Sequence, residues 1–169
     1  LAEWYNRLRP DIITGWNIQF FDIPYLINRI RRVLGDRESK DLSPWRIINE
    51  RVIQAMRFQG GKDVTLYDLI GIATLDYFDL YKKYTYTNQE SYRLDYIANI
   101  ELGEGKLSYD EYSNLHNLYK ENFQLFIEYN IKDVRLVERL EDKMKLLEMA
   151  CALAYDAKVN YVDVFTQVR

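Results

Sequence analysis

Apolar residues recur along this chain with two different periods, and the switches between them mark out its elements. Trp4, Tyr5 and Leu8 sit at helical spacing until Pro10 breaks the pattern. The next stretch, Asp11-Ile12-Ile13-Thr14-Gly15-Trp16, is short, β-branched and mostly apolar, as suits a buried strand. From Ile23 the apolar positions Ile23, Leu26, Ile27, Ile30, Val33 and Leu34 follow the 3.6-residue period, and Gly35 supplies a stop. The chain therefore opens helix, strand, helix.

Between Leu42 and Leu80 the signals change to strand and turn. Residues 51–58 fit either a short helix or a strand, whereas residues 64–70 favour a strand, and Gly60-Gly61-Lys62-Asp63 is turn-like. A β-hairpin is predicted there. Residues 72–78 read as a second core strand leading into Asp79-Leu80-Tyr81-Lys82-Lys83-Tyr84. Leu94, Ile97 and Ala98 predict a helix that starts near Ser91, with its hydroxyl as cap, and ends at Gly103-Glu104-Gly105. The last third is helical: a short helix over 111–119, then a long one from Asn122 with Phe123, Phe126, Ile127, Ile131, Val134 and Val137 at helical spacing, then residues 146–157. Mixed strands and helices of this kind, with no repeat and no obvious linker, predict one α/β domain over residues 1–169.

Composition adds bounds rather than identity. With 48% hydrophobic and 15% aromatic residues in 169, the chain has ample material for a core. Its apolar runs are broken well before the ~18 residues needed to cross a bilayer, and its start lacks a basic-then-apolar signal pattern. The expectation is an intracellular protein without a membrane partner. The single cysteine, Cys151, lies in an apolar stretch and reads as a buried, reduced thiol.

A net charge of -3 argues against a bulk electrostatic DNA binder. One region is mildly basic: Arg29, Arg31, Arg32, Arg37, Lys40, Arg46 and Arg51 stand against Asp36, Glu38, Asp41 and Glu50. It reads as a solvated helix face or as a phosphate contact. Tyr81, Tyr84, Tyr86 and Tyr92 beside Lys82 and Lys83 could likewise stack bases or simply pack their rings.

The candidate chemistry rests on carboxylates. Asp22 falls at a strand-to-helix junction with Pro24 in the first turn, a position suited to a helix cap or to a metal ligand. Tyr129 and Asp133, four residues apart in the long helix, project from one face, where a phenol and a carboxylate could act on one water. The competing reading pairs Asp133 with Lys132, Arg135 or Arg139. Asp76 and Asp79, three apart at another strand-helix junction, read as local caps. The lone histidine, His116, does not suggest catalysis.

In combination these residues say more. N-x-x-x-F-D at Asn17 to Asp22, followed far downstream by Y-x-x-x-D at Tyr129 to Asp133, resembles the second and third exonuclease motifs of family B DNA polymerases. The segments TGWNIQFFDIPYLINRI, LDYFDLYKKY, TNQESYRLDYI, GKLSYD and FIEYNIKDVRLV extend the resemblance, in order, to the proofreading domain of replicative polymerases of large tailed phages. The resemblance implies an RNase H-like (DnaQ-like) exonuclease fold with an inserted β-hairpin. It implies two divalent ions, Mg2+ or Mn2+, and removal of the terminal nucleotide from the 3′ end of single-stranded DNA. By motif position Asp22 and Asp133 would be metal ligands, Tyr129 would orient the attacking water, and Asn17 and Phe21 would shape the turn or the substrate groove. Lys106, in Gly105-Lys106-Leu107, matches a lysine block that can approach the scissile phosphate.

Hard ions prefer carboxylate oxygens, and a metal-activated water needs no side-chain nucleophile, which suits a chain with one cysteine and one histidine. The first motif, an Asp-x-Glu pair on a core strand, would precede Asp11 and is not among these residues, nor is the polymerase domain. The expectation is a domain incomplete at its N-terminus, binding metal weakly and hydrolysing poorly or not at all by itself. It would be partnered by the remainder of a polymerase chain in the cytoplasm of an infected bacterium. The alternative is a noncatalytic single-strand-binding or scaffold module of the same fold, in which Asp22 caps and Asp133 pairs.

Overall fold

Two short strands far apart in sequence lie side by side and set the geometry of the rest. In the computed structural model, which describes residues 7–53, 63–105 and 115–165, β1 (Ile12–Gly15) runs parallel to β4 (Ala73–Asp76). Ile12 faces Ala73, and Gly15 faces Asp76. The Thr14 hydroxyl donates to the Leu75 carbonyl at 2.7 Å, adding a side-chain tie to the ladder. Between these strands the chain forms α1 (Asp22–Val33), the short α2 (Asp36–Ser39), a 3₁₀ turn (Lys40–Leu42) and an antiparallel pair, β2 (Ile48–Ile53) with β3 (Val64–Leu69). After β4 come α3 (Tyr77–Tyr84), α4 (Leu94–Leu102), α5 (Leu115–Glu121), α6 (Phe123–Met144), α7 (Leu146–Ala157) and a 3₁₀ turn (Tyr161–Phe165). The architecture is mixed α/β, as the pattern predicts. The strand predicted over 64–70 pairs antiparallel with β2, which begins at Ile48 rather than 51, and residues 54–62, with the predicted tip, lie outside the described residues.

Two apolar clusters hold these elements. In one, Leu75 of β4 packs with Tyr77, Leu80 and Tyr81 of α3, Leu94 and Ile97 of α4, Leu136 and Leu140 of α6, and Ala150 of α7. In the other, Ile23 and Ile27 of α1 meet Ile18, Leu42, Tyr67 and Leu69. The Tyr67 hydroxyl donates to Asn28 Oδ1 at 3.1 Å, and the Arg31 guanidinium lies 5.4 Å from the Tyr67 ring centre, so α1 is fixed to β3 by polar contacts as well.

Several expectations are corrected. Strand β4 ends at Asp76 rather than continuing to Phe78, because the Asp76 side chain accepts from the Phe78 amide and starts α3. Helix α4 begins at Leu94 after Arg93, and Ser91 takes only the Arg93 amide at 3.4 Å. On α6 the buried face carries Tyr129, Leu136, Val137 and Leu140, whereas Phe123, Ile127, Ile131 and Val134 are exposed. The 3.6-residue period leaves two apolar stripes on this helix, and periodicity alone does not choose which one meets α3 and α4. Cys151 is half-buried rather than buried.

The core tyrosines make the fold sensitive to alkali. Burial, reinforced by Glu141, pushes the Tyr77 phenol far above its ordinary range, and burial with the Glu101 hydrogen bond pushes Tyr81 up to about 12. In the unfolded chain both ionise near pH ~10. Above that pH the unfolded state has shed protons that the folded state keeps, so stability is intact below pH ~10 and falls as pH rises toward ~12. Urea melts at stepped alkaline pH should show this decline, and Tyr81→Phe should make it shallower. A midpoint that does not change between neutral pH and pH ~11 would contradict it.

Candidate active site

The turn from β1 into α1 is built with little freedom. Trp16 packs its indole against Tyr77, Phe78 and Tyr81, with ring centres 6.4, 5.8 and 5.9 Å away, and its Nε1 donates to the Tyr92 carbonyl at 3.1 Å. Asn17 adopts a left-handed backbone, φ 63°, which asparagine tolerates better than most residues. Its amide donates to Asp76 Oδ1 at 2.8 Å, and the Gln19 amide donates to Asp76 Oδ2 at 3.2 Å. The Phe21 amide then donates to the Asn17 carbonyl and the Ile23 amide to the Ile18 carbonyl, so the turn runs into α1 without slack. A Cβ on Gly15 would come within 2.4 Å of Ile18 Cγ2, which explains the glycine.

Asp22 is the first residue of α1 and not its cap. Phe21 occupies the cap position, and no side chain caps this end of the helix. Partial burial raises the Asp22 carboxyl above the usual carboxylate range, with its own backbone amide pulling the other way.

A groove of about 1820 Å3 is lined by Asn17, Phe21 and Asp22 of the turn into α1 and by Tyr129, Asn130 and Asp133 of α6. Trp16, Tyr92 and Arg93 also line it, as do the carboxylates of Asp95, Glu138, Glu141 and Asp142. Five of the residues singled out by sequence thus share one cavity, while Lys106 lies outside the described residues. Tyr129 is 8% exposed, so its ring is held while its edge reaches the groove. Lys132 and Arg139 direct their charge to Glu104, the former at 2.9 Å, and together they hold its carboxyl down to about 2. That pairing supplies a different partner for two of the three cations considered for Asp133.

In the basic stretch Arg31 pairs with Asp36 and Glu50, Lys40 with Asp36, Arg46 with Asp41 and Arg51 with Asp68, which neutralises much of it as a phosphate surface. Tyr81 and Tyr92 pack into the aromatic cluster, Lys82 lies 5.0 Å from both the Phe78 and Tyr92 ring centres, and Tyr84 donates to the Val164 carbonyl. His116 is exposed on α5. The feature the sequence reading missed is the reach of Asp76. It caps α3 as read, but it also holds a turn more than fifty residues earlier, which local spacing cannot signal.

The donor chemistry suits a hard divalent ion, since the residues lining the groove include the carboxylates of Asp22 on α1 and Asp133 on α6. Among the described residues no group of three or more His, Cys, Asp or Glu side chains is placed to hold a metal. Two carboxylates with water and phosphate oxygens are nevertheless a normal set for magnesium. No helix among the described residues is long and apolar enough to cross a membrane.

Residues 2–97 match the family described as DNA polymerase family B, exonuclease domain. The chain belongs to that family. Over 99% of its length it is 40% identical to the DNA-directed DNA polymerase of Escherichia phage RB69, and over 100% it is 37% identical to that of Enterobacteria phage T4. It is 30% identical, over 89% of its length, to the DNA polymerase delta catalytic subunit of Bos taurus. This exonuclease domain spans 18% of each phage polymerase and 14% of the bovine subunit. The family match stops before α6, whereas the phage polymerase matches extend across essentially the whole chain.

Proposed function

We propose that this exonuclease domain contributes one groove of a 3′-to-5′ proofreading site with an RNase H-like fold, acting on the single-stranded 3′ end of DNA within a longer phage-type polymerase in the cytoplasm of its bacterial host. The observation that carries the reading is the convergence of Asp22 with Tyr129 and Asp133 on one groove, from opposite ends of the chain. Asp22 and Asp133 would hold Mg2+ or Mn2+, and Lys106 would approach the scissile phosphate. Such ions polarise a phosphate oxygen and lower the pKa of a bound water. The Tyr129 phenol, fixed by its buried ring, is suited to orient that water through its hydroxyl. Asn17 holds the turn, and Phe21, two-thirds exposed, offers an apolar face to a terminal base.

With two identified carboxylates, the domain alone should bind metal weakly, on the order of millimolar. Titrating Mn2+ into the chain should broaden the NMR signals of residues around Asp22 and Asp133 before any others. Broadening centred elsewhere, or single-strand binding that ignores divalent ions, would favour the noncatalytic module instead.

A further inference from the structure

We propose that Asp76 is a positioning residue of this site: by gripping the Asn17–Gln19 turn from the end of β4, it fixes where Asp22 enters the groove. The inference deepens the proposed function and rests on the reading of Asp22 as a site residue.

Asp76 is 2% exposed, and among the described residues its partners are backbone amides rather than a cation. A buried carboxylate without a counterion is costly unless its lone pairs are filled. Here they are filled from two directions. Oδ1 accepts from Asn17 at 2.8 Å and from Phe78 at 3.1 Å, and Oδ2 accepts from Gln19 at 3.2 Å. Both oxygens are needed, and the Phe78 contact places the charge at the N-terminus of α3, where the helix dipole favours it. Burial lifts the Asp76 carboxyl, the neighbouring Asp79 adds to that, and the three amides oppose it.

A helix cap requires only one such oxygen, so capping does not explain this arrangement. Serine would serve as well at that position. What serine cannot do is reach both amides of the opposing turn. The register explains why the turn is within reach, since Gly15 faces Asp76 across the β1–β4 pair and Asn17 comes two residues after it. From Gln19 to Asp22 the backbone bonds of Phe21 and Ile23 leave no flexible link, so a shift of the turn is passed on to Asp22.

The two readings separate in Asp76→Ser and Asp76→Asn, both competent caps. Amide hydrogen exchange at Asn17 and Gln19 should accelerate about ten- to a hundredfold in each, relative to Ile97 in α4, the scale of a lost charged hydrogen bond. Exchange at Phe78 should stay within about threefold. The Mn2+ concentration that broadens the Asp22 signals should rise about tenfold, as for loss of an orienting contact. The asparagine variant keeps the side-chain shape if serine fails to fold. Wild-type exchange at Asn17 and Gln19 in a folded variant would overturn the proposal, as would a loosened turn with unchanged Mn2+ response at Asp22. A wild-type chain in which Mn2+ leaves Asp22 untouched would overturn the metal reading and, with it, the positioning role. The exchange comparison would then still report whether Asp76 holds the turn.

Discussion

Alanine at either Asp22 or Asp133, in a polymerase that carries this domain, is expected to slow hydrolysis of a single-stranded 3′ end about a thousandfold. Metal stabilisation of phosphoryl transfer is worth several kcal/mol, and each ~1.4 kcal/mol is a factor of ten. The fold should survive both changes. No side chain caps the start of α1, and Asp22 lines the groove, so its removal costs α1 only a first-turn carboxylate and its bond to its own amide, worth about 1 kcal/mol or less. Asp133 sits on a 22-residue helix whose buried face is carried by Tyr129, Leu136, Val137 and Leu140. Thermal midpoints should therefore move by a few degrees at most, within the range of substitutions away from the core. Hydrolysis at the wild-type rate by either folded variant would remove the assigned ligands.

Trp16→Ala is expected to be the more damaging change to stability, by about 3 kcal/mol, in the range of large aromatic truncations. The indole contacts three aromatic rings and donates to the Tyr92 carbonyl, so it ties β1 to α3 and to the segment before α4. For a domain of this size that loss corresponds to a fall in Tm of roughly 10 °C. Trp16→Phe keeps most of the ring contact and should lose about 1 kcal/mol, chiefly the indole hydrogen bond. Because Trp16 also lines the groove, the alanine variant should cut more slowly even where it remains folded. Melting curves of the two variants side by side would check the ranking, and equal midpoints would show that the ring cluster contributes little.

The sequence was legible where chemistry is local. Apolar period and turn residues located the strand at Ile12, the helix after Asp22, the strand at Val64 and the long helix after Asn122, whereas the partner strand at Ile48 was left open between strand and helix and sought from residue 51. The resemblance to two exonuclease motifs led to Asp22, Tyr129 and Asp133, which line one groove. Features decided between elements were not legible. Nothing in Leu75-Asp76-Tyr77 reveals that its carboxylate grips Asn17 and Gln19, because the partners are backbone amides brought near by strand pairing. Nor does the spacing on α6 distinguish the stripe that packs from the stripe that remains exposed, since both obey the same period. Taken alone, Asp22 reads as a helix cap, and only the backbone shows Phe21 in that position instead.

The parallel pairing of β1 with β4 also orders events in time. Contacts within the β2–β3 hairpin and along α6 join residues near in sequence, whereas Ile12 meets Ala73 only after a loop of some sixty residues has closed. Closing that loop costs entropy before any contact across it is rewarded, which delays non-local strand pairing. The grip of Asp76 on the turn that carries Asp22 forms only with that closure. A chain emerging during synthesis would therefore hold its hairpin before its groove, and the carboxylates would converge only when the sheet is complete.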